Sequence, residues 1–146
     1  MKKPYYILCV DDEKAILDTL LRQLNLALGP DVAVEIAESA EEAWELIDEY
    51  SDEYTLAVVI SDWLMPVTRG DKFLVELHKR YPHVTKIMLS GQADPKAVEN
   101  AQRNGGLTAF MPKPWDKASL VNLVASSGGG GGGGGRRAAG GGAPAG

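Results

Sequence analysis

Apolar and polar positions alternate in blocks along the first 125 residues. Short, mostly apolar runs fall at 5–10, 56–61, 86–90 and 108–111, and their length predicts strands. The run at 32–37 alternates instead, with Val32, Val34 and Ile36 set against Glu35. Alternation marks a strand with one buried face, so 32–37 is predicted at a sheet edge. The near-continuous runs at 5–10 and 56–60 are predicted as central.

Helical spacing fills the intervals. Leu17, Leu20, Leu21, Leu24 and Leu28 make the first apolar stripe. Ser39 and Glu42 form a capping box ahead of a second, with Ala40, Ala43, Trp44 and Ile47 facing inward. A third helix is predicted at about 71–81, with Phe73, Leu74 and Leu77 inward. The fourth opens at Asp94-Pro95, a cap followed by proline in the first turn, and spans about 95–104. Its apolar anchors are few: Ala97, Val98 and Ala101. The fifth opens at Asp116 and carries Leu120, Leu123 and Val124.

Five strand-then-helix repeats predict an α/β fold, a parallel sheet with helices on both faces. Right-handed crossovers favour the doubly wound, flavodoxin-like (βα)5 arrangement with strand order 2-1-3-4-5. Its switch point lies between strands one and three, where ligands bind at the carboxyl ends of the strands. The predicted domain is 1–126. Residues 127–146 are dominated by glycine and end RRAAGGGAPAG, so they are predicted to be a flexible tail or linker with too little to bury.

Composition narrows the function classes. A net charge of −5 argues against direct binding of nucleic acid or an anionic membrane. No apolar run approaches the ~18–20 residues of a membrane span. The opening MKKPYYILCV has too short an apolar run for a signal peptide. Cys9 is the sole cysteine, which excludes an internal disulfide and fits a cytoplasmic chain.

Chemistry appears where the strands end. Strand one runs into Asp11-Asp12, strand three into Asp62, strand four into Ser90, and strand five is followed by Lys113. The predicted topology gathers these around one crevice. Carboxylates ~4 Å apart repel by several kcal/mol at an effective dielectric near 20. A divalent cation relieves that repulsion, and a site offering few, all-oxygen protein ligands suits Mg²⁺. Cation, ammonium and hydroxyl together could hold the oxygens of a transferring phosphoryl group, with a carboxylate as nucleophile.

With the DD pair at 11–12, Asp62, MP at 65–66, Gly70, SG at 90–91 and KP at 113–114 in order, residues 4 to about 125 resemble the receiver domains of bacterial two-component response regulators. The resemblance implies that Asp62 accepts phosphate from a sensor histidine kinase or phosphotransfer protein. It implies Mg²⁺, with Mn²⁺ as the alternative, held by Asp11, Asp12, Asp62 and the backbone carbonyl of Leu64. Ser90 and Lys113 would hold the phosphoryl oxygens, and Ser90 with Phe110 would form the switch. Lys113-Pro114 would be a cis peptide. The face of helix four, strand five and helix five would engage an output or a second copy. Leu64 and Gln92 would flank the path of the hydrolytic water. Two positions depart from the pattern: Arg69 stands where aspartate usually precedes the glycine, and Leu64 is apolar.

Other readings compete. Asp62 alone would serve as a loop-opening cap, and Glu13 as an acidic first-turn residue. Phe110 packs in a core in one of its two required rotamers. Trp63 is either a partner contact or a lid. His78 and His83 are isolated and form no ligand set. A Mg²⁺-dependent phosphatase with an aspartate nucleophile is the enzymatic alternative. Such enzymes commonly carry a second aspartate two residues on, where this chain has Leu64. A phosphate-independent pseudo-receiver is the binding-module alternative.

Overall fold

The computed structural model describes residues 3–92 and 94–127. The predicted tail lies outside them apart from Ser127, which is the last residue of a helix. The elements follow in the order β1 (Tyr5–Val10), α1 (Lys14–Leu28), β2 (Ala33–Ala37), α2 (Ala40–Tyr50), β3 (Thr55–Asp62), α3 (Gly70–Arg80), β4 (Thr85–Ser90), α4 (Pro95–Asn104), β5 (Ala109–Pro112) and α5 (Lys117–Ser127). All strand pairings are parallel, in the order β2-β1-β3-β4-β5. This is the predicted doubly wound sheet, with β1 and β3 side by side at its centre.

Alternate residues of the central strands feed two cores. Tyr6, Leu8 and Val10 point to the face covered by α2, α3 and α4, where Ala43, Ile47, Phe73, Leu74 and Leu77 are buried. Ile7 and Cys9 point to the face covered by α1 and α5, where Leu17, Leu20, Leu24, Leu120 and Val124 are buried. Both faces of β1 are therefore dry, which is why its sequence does not alternate. Burying each Leu, Ile, Val or Phe side chain among these contributes ~1.5–3 kcal/mol. Burial pushes the Cys9 thiol up to about 12, with the Asp11 charge adding to the effect, which disfavours the reactive thiolate.

Helix starts follow their capping chemistry. Ser39 Oγ accepts the Glu42 N–H at 3.0 Å, and Asp94 accepts the Lys96 N–H at 3.1 Å. Glu42 reaches back to the Glu38 N–H, one residue earlier than a standard capping box would require. Asp116 accepts from the Ser119 N–H at 2.9 Å. Glu13 is the N-cap residue of α1 and not part of its first turn. Trp44 is half-buried at the rim of the core and not within it. It meets the edge of Phe73, and the Arg80 guanidinium lies 4.6 Å from the Trp44 ring in a cation–π contact.

One loop carries backbone strain. The Thr68 N–H donates to the Pro66 carbonyl at 2.8 Å, closing a γ-turn around Val67, whose φ is +70°. A β-branched residue is unfavourable at positive φ, at a cost of roughly 1–3 kcal/mol. The Val67 side chain is 93% exposed, so packing does not offset the strain. Thr68 Oγ1 also donates to Glu41 at 2.6 Å, which pins the turn to α2. Val67→Gly relieves the strain and returns part of the gain as chain entropy. Urea denaturation is expected to show a net stabilisation of about 1 kcal/mol.

Candidate functional site

The site follows from strand register. β1 and β3 run parallel with Val10 opposite Ser61, so the next residues, Asp11 and Asp62, leave the sheet side by side. Asp62 is the final residue of β3. Asp11 is 1% exposed and Asp62 6%, while Asp12 stands in the open. One carboxylate oxygen from each of the three lies within 4.8 Å of the others. Three oxygens at that spacing suit a hard divalent cation, which the rest of the shell could reach as water.

Lys113 counters the negative charge. Its Nζ lies 2.7 Å from Asp11 Oδ2, 3.3 Å from Asp62 Oδ1 and 3.7 Å from Glu13 Oε1. The Glu13 N–H donates to Asp11 Oδ1 at 2.8 Å. Burial alone would lower the pKa of Lys113, but its hydrogen bond to Asp11 and the charges of Asp11 and Asp62 outweigh burial and raise it. Asp11 is raised by burial, against the pull of Lys113. Burial also pushes the Asp62 carboxyl up to about 6, helped by the Asp11 charge and opposed by Lys113. One ammonium therefore compensates two buried carboxylates only partly.

β4 and β5 bring the remaining groups to the same edge. Ser90 is buried at the end of β4, opposite Pro112. Its hydroxyl accepts the Gln92 N–H at 3.2 Å, and its carbonyl accepts the Lys113 N–H at 3.2 Å. The Lys113-Pro114 peptide is cis. Leu64 is 53% exposed, Gln92 is exposed, and Trp63 is half-buried. Phe110 is 37% exposed and belongs to neither core cluster, so its ring faces outward.

Three features escaped the sequence reading. The first is steric: a Cβ at Gly70 would stand 1.8 Å from the Asp62 carbonyl oxygen, and the Gly70 N–H donates to Trp63 at 2.7 Å. No side chain fits there, so α3 begins hard against the backbone of Asp62. The second is Asp71, 1% exposed and paired with Arg69 at 3.1 Å. The third is Lys86, buried in β4, whose ammonium donates to the Val84 carbonyl at 2.6 Å and whose pKa burial lowers.

The Asp62 shift has a signed consequence. A carboxyl that holds its proton more tightly folded than unfolded favours folding while protonated. That contribution is present below about pH 4, is lost as pH rises through about 6, and is absent at neutral pH. Asp62→Asn removes it. In chelator, the stability of the parent relative to Asp62→Asn is expected to fall by on the order of 2 kcal/mol between pH 4 and pH 7. Urea titrations at a series of pH values measure this, and a flat difference would contradict the account of the site.

Comparison with known proteins accords with this geometry. The response regulator receiver domain family matches residues 7–125. The hydrogenase transcriptional regulatory protein HoxA of Cupriavidus necator is 30% identical over 81% of this chain, which spans 23% of that protein. The response regulator Rre1 of Synechocystis is 31% identical over 85% of this chain, which spans 52% of it. The chain thus spans about half or less of these relatives. Among solved structures, the signal receiver domain of an HD domain-containing protein from Pseudomonas fluorescens superposes with a TM-score of 0.74. It is 27% identical, covering 86% of this chain and 87% of that one. The crevice between β1 and β3 lies where the doubly wound topology calls for a ligand site, and this chain belongs to the response regulator receiver domain family.

Proposed function

We propose that Asp62 is the phosphoacceptor of a signalling switch, taking a phosphoryl group from a phosphohistidine on a sensor kinase or phosphotransfer protein. The observation that carries this is the buried Asp62 carboxylate, with Lys113 Nζ 3.3 Å from its oxygen and Asp11 and Asp12 beside it. Asp11, Asp12, Asp62 and the Leu64 carbonyl would hold Mg²⁺, or Mn²⁺ in its place. Bound there, the cation would offset the carboxylate repulsion and draw charge from the phosphoryl oxygens.

The protein groups then have defined tasks. An Asp62 oxygen attacks phosphorus as the donor's P–N bond breaks, and the electron pair leaves with the imidazole. Lys113 exchanges its contact with Asp62 for one with a phosphoryl oxygen while Asp11 keeps hold of it. The Ser90 hydroxyl, now accepting from Gln92, turns to donate to another oxygen. Its inward movement opens space for the Phe110 ring and changes the face formed by α4, β5 and α5. That face engages the output or a second copy of the chain. Leu64 is apolar where a phosphatase would carry its second aspartate, which favours a switch over a metabolic enzyme.

Two measurements test this. Acetyl phosphate with Mg²⁺ is expected to add one alkali-labile phosphate, read by intact mass. Labelling of Asp62→Ala to the parent's level would refute the assignment. Lifetime depends on the water that attacks the acyl phosphate in line. Leu64 stands exposed beside Asp62 and cannot orient water, while Gln92 can do so from one side only. Leu64→Asn is therefore expected to speed loss of phosphate several-fold, on the order of 1 kcal/mol of barrier. An unchanged lifetime would remove Leu64 from that role.

A further inference from the structure

Helix α4 is held by little apolar surface. Its fully or nearly buried residues are two alanines, Ala97 and Ala101, with Val98 half-buried. Ala101 and Val98 share the apolar core with Phe73, Leu74 and Leu77 of α3, and a polar contact adds to this. Asn100 Nδ2 donates to Asp71 Oδ2 at 3.3 Å, the one side-chain hydrogen bond between α3 and α4 among the described residues. Both ends of this bond are oriented. Arg69 Nε and Nη2 bind the two Asp71 oxygens at 3.1 and 3.4 Å, and Asn104 Nδ2 donates to Asn100 Oδ1 at 2.8 Å.

Asp71 ties this chain of contacts to the phosphoacceptor. It follows Gly70, the residue wedged against the Asp62 carbonyl. Its carboxylate is 1% exposed and depends on Arg69 and Asn100 in place of water. Beside it a cleft of about 180 Å³, lined by Trp63, Arg69 and Asp71 on one side and Lys96, Ala97 and Asn100 on the other, lies between the β3–α3 loop and the start of α4. The Trp63 indole N–H is buried and has no hydrogen-bond partner. α4 thus borders an open cleft, has few apolar anchors, and has one side-chain hydrogen bond to the first turn of α3 among the described residues.

We infer that the Asp71–Asn100 bond is a latch that sets the resting position of α4 and, through it, the affinity of Asp62 for a phosphoryl group. Displacing α4 strips a buried carboxylate of its amide partner, so the latch favours the resting position. The phosphoryl-bound state proposed above changes the α4 face, so by reciprocity a substitution that favours the displaced α4 tightens phosphoryl binding. Arg69 and Asn104 act as positioning residues for the pair. The inference rests on Asp62 being the phosphoacceptor.

Asn100→Asp faces Asp71 with a second carboxylate and breaks the latch by repulsion. Amide exchange in α4 of the metal-free protein is expected to accelerate about ten-fold or more, with β1 and β3 unchanged. Affinity for beryllofluoride with Mg²⁺, a stable stand-in for the phosphoryl group, is expected to rise about five-fold. The swapped variant, Asp71→Asn with Asn100→Asp, restores one acceptor facing one donor and is expected to return both readings most of the way. Parent-like α4 exchange in Asn100→Asp would overturn the latch. Faster exchange with unchanged beryllofluoride affinity would overturn its coupling to Asp62. Beryllofluoride binding that survives in Asp62→Ala would refute the phosphoacceptor reading itself, while the metal-free exchange still decides the latch.

Discussion

The structure is organised around the cost of keeping two carboxylates, Asp11 and Asp62, nearly dry and adjacent. Parallel strand pairing forces them together, since the residues that follow Val10 and Ser61 have no other place to go. Lys113 reaches back from beyond β5 to lie between them, closing an ion pair across the sheet from residue 11 to residue 113. With one cation against two buried anions, the site retains an affinity for further positive charge. The packing of the central strands keeps that imbalance in place.

The two cores do so by making the central strands rigid. β1 contributes alternate residues to both, so neither Asp11 nor Asp62 can retreat toward solvent without disturbing packing on two sides. The Trp115 indole adds a tie at the edge, donating to Gln23 on α1 at 3.0 Å and anchoring the loop that follows Lys113. α4 joins one of these cores through few residues. Its alanines bury little area, and its polar bond to Asp71 is directional. Directional bonds have a preferred geometry, which a moving element can leave in one step.

The sheet order and the groups at the strand ends were legible because each rests on a strong local signal. Continuous apolar runs marked the centre, alternation marked β2, and a charged residue ending an apolar run marked the edge. The caps at Ser39 and Asp94 were legible for the same reason. Asp71 and Lys86 were not, because a charge in a first helical turn or at the start of a strand looks like a solvated residue. Only tertiary contact shows that Arg69, Asn100 and the Val84 carbonyl take the place of water. Trp44 misled in the opposite sense: its apolar bulk suggested the core, while Arg80 stabilises it at the rim.

The contact between Gly70 and the Asp62 carbonyl has a mechanical meaning. Where a missing methyl would already overlap backbone, the junction of β3 and α3 has no slack and behaves as an incompressible seam. A load applied at Asp62 cannot be absorbed there by settling of side chains. The nearest open space beyond the seam is the cleft in front of α4. The absence of a side chain at Gly70 is thus what lets a helix start in direct contact with the backbone of the strand before it.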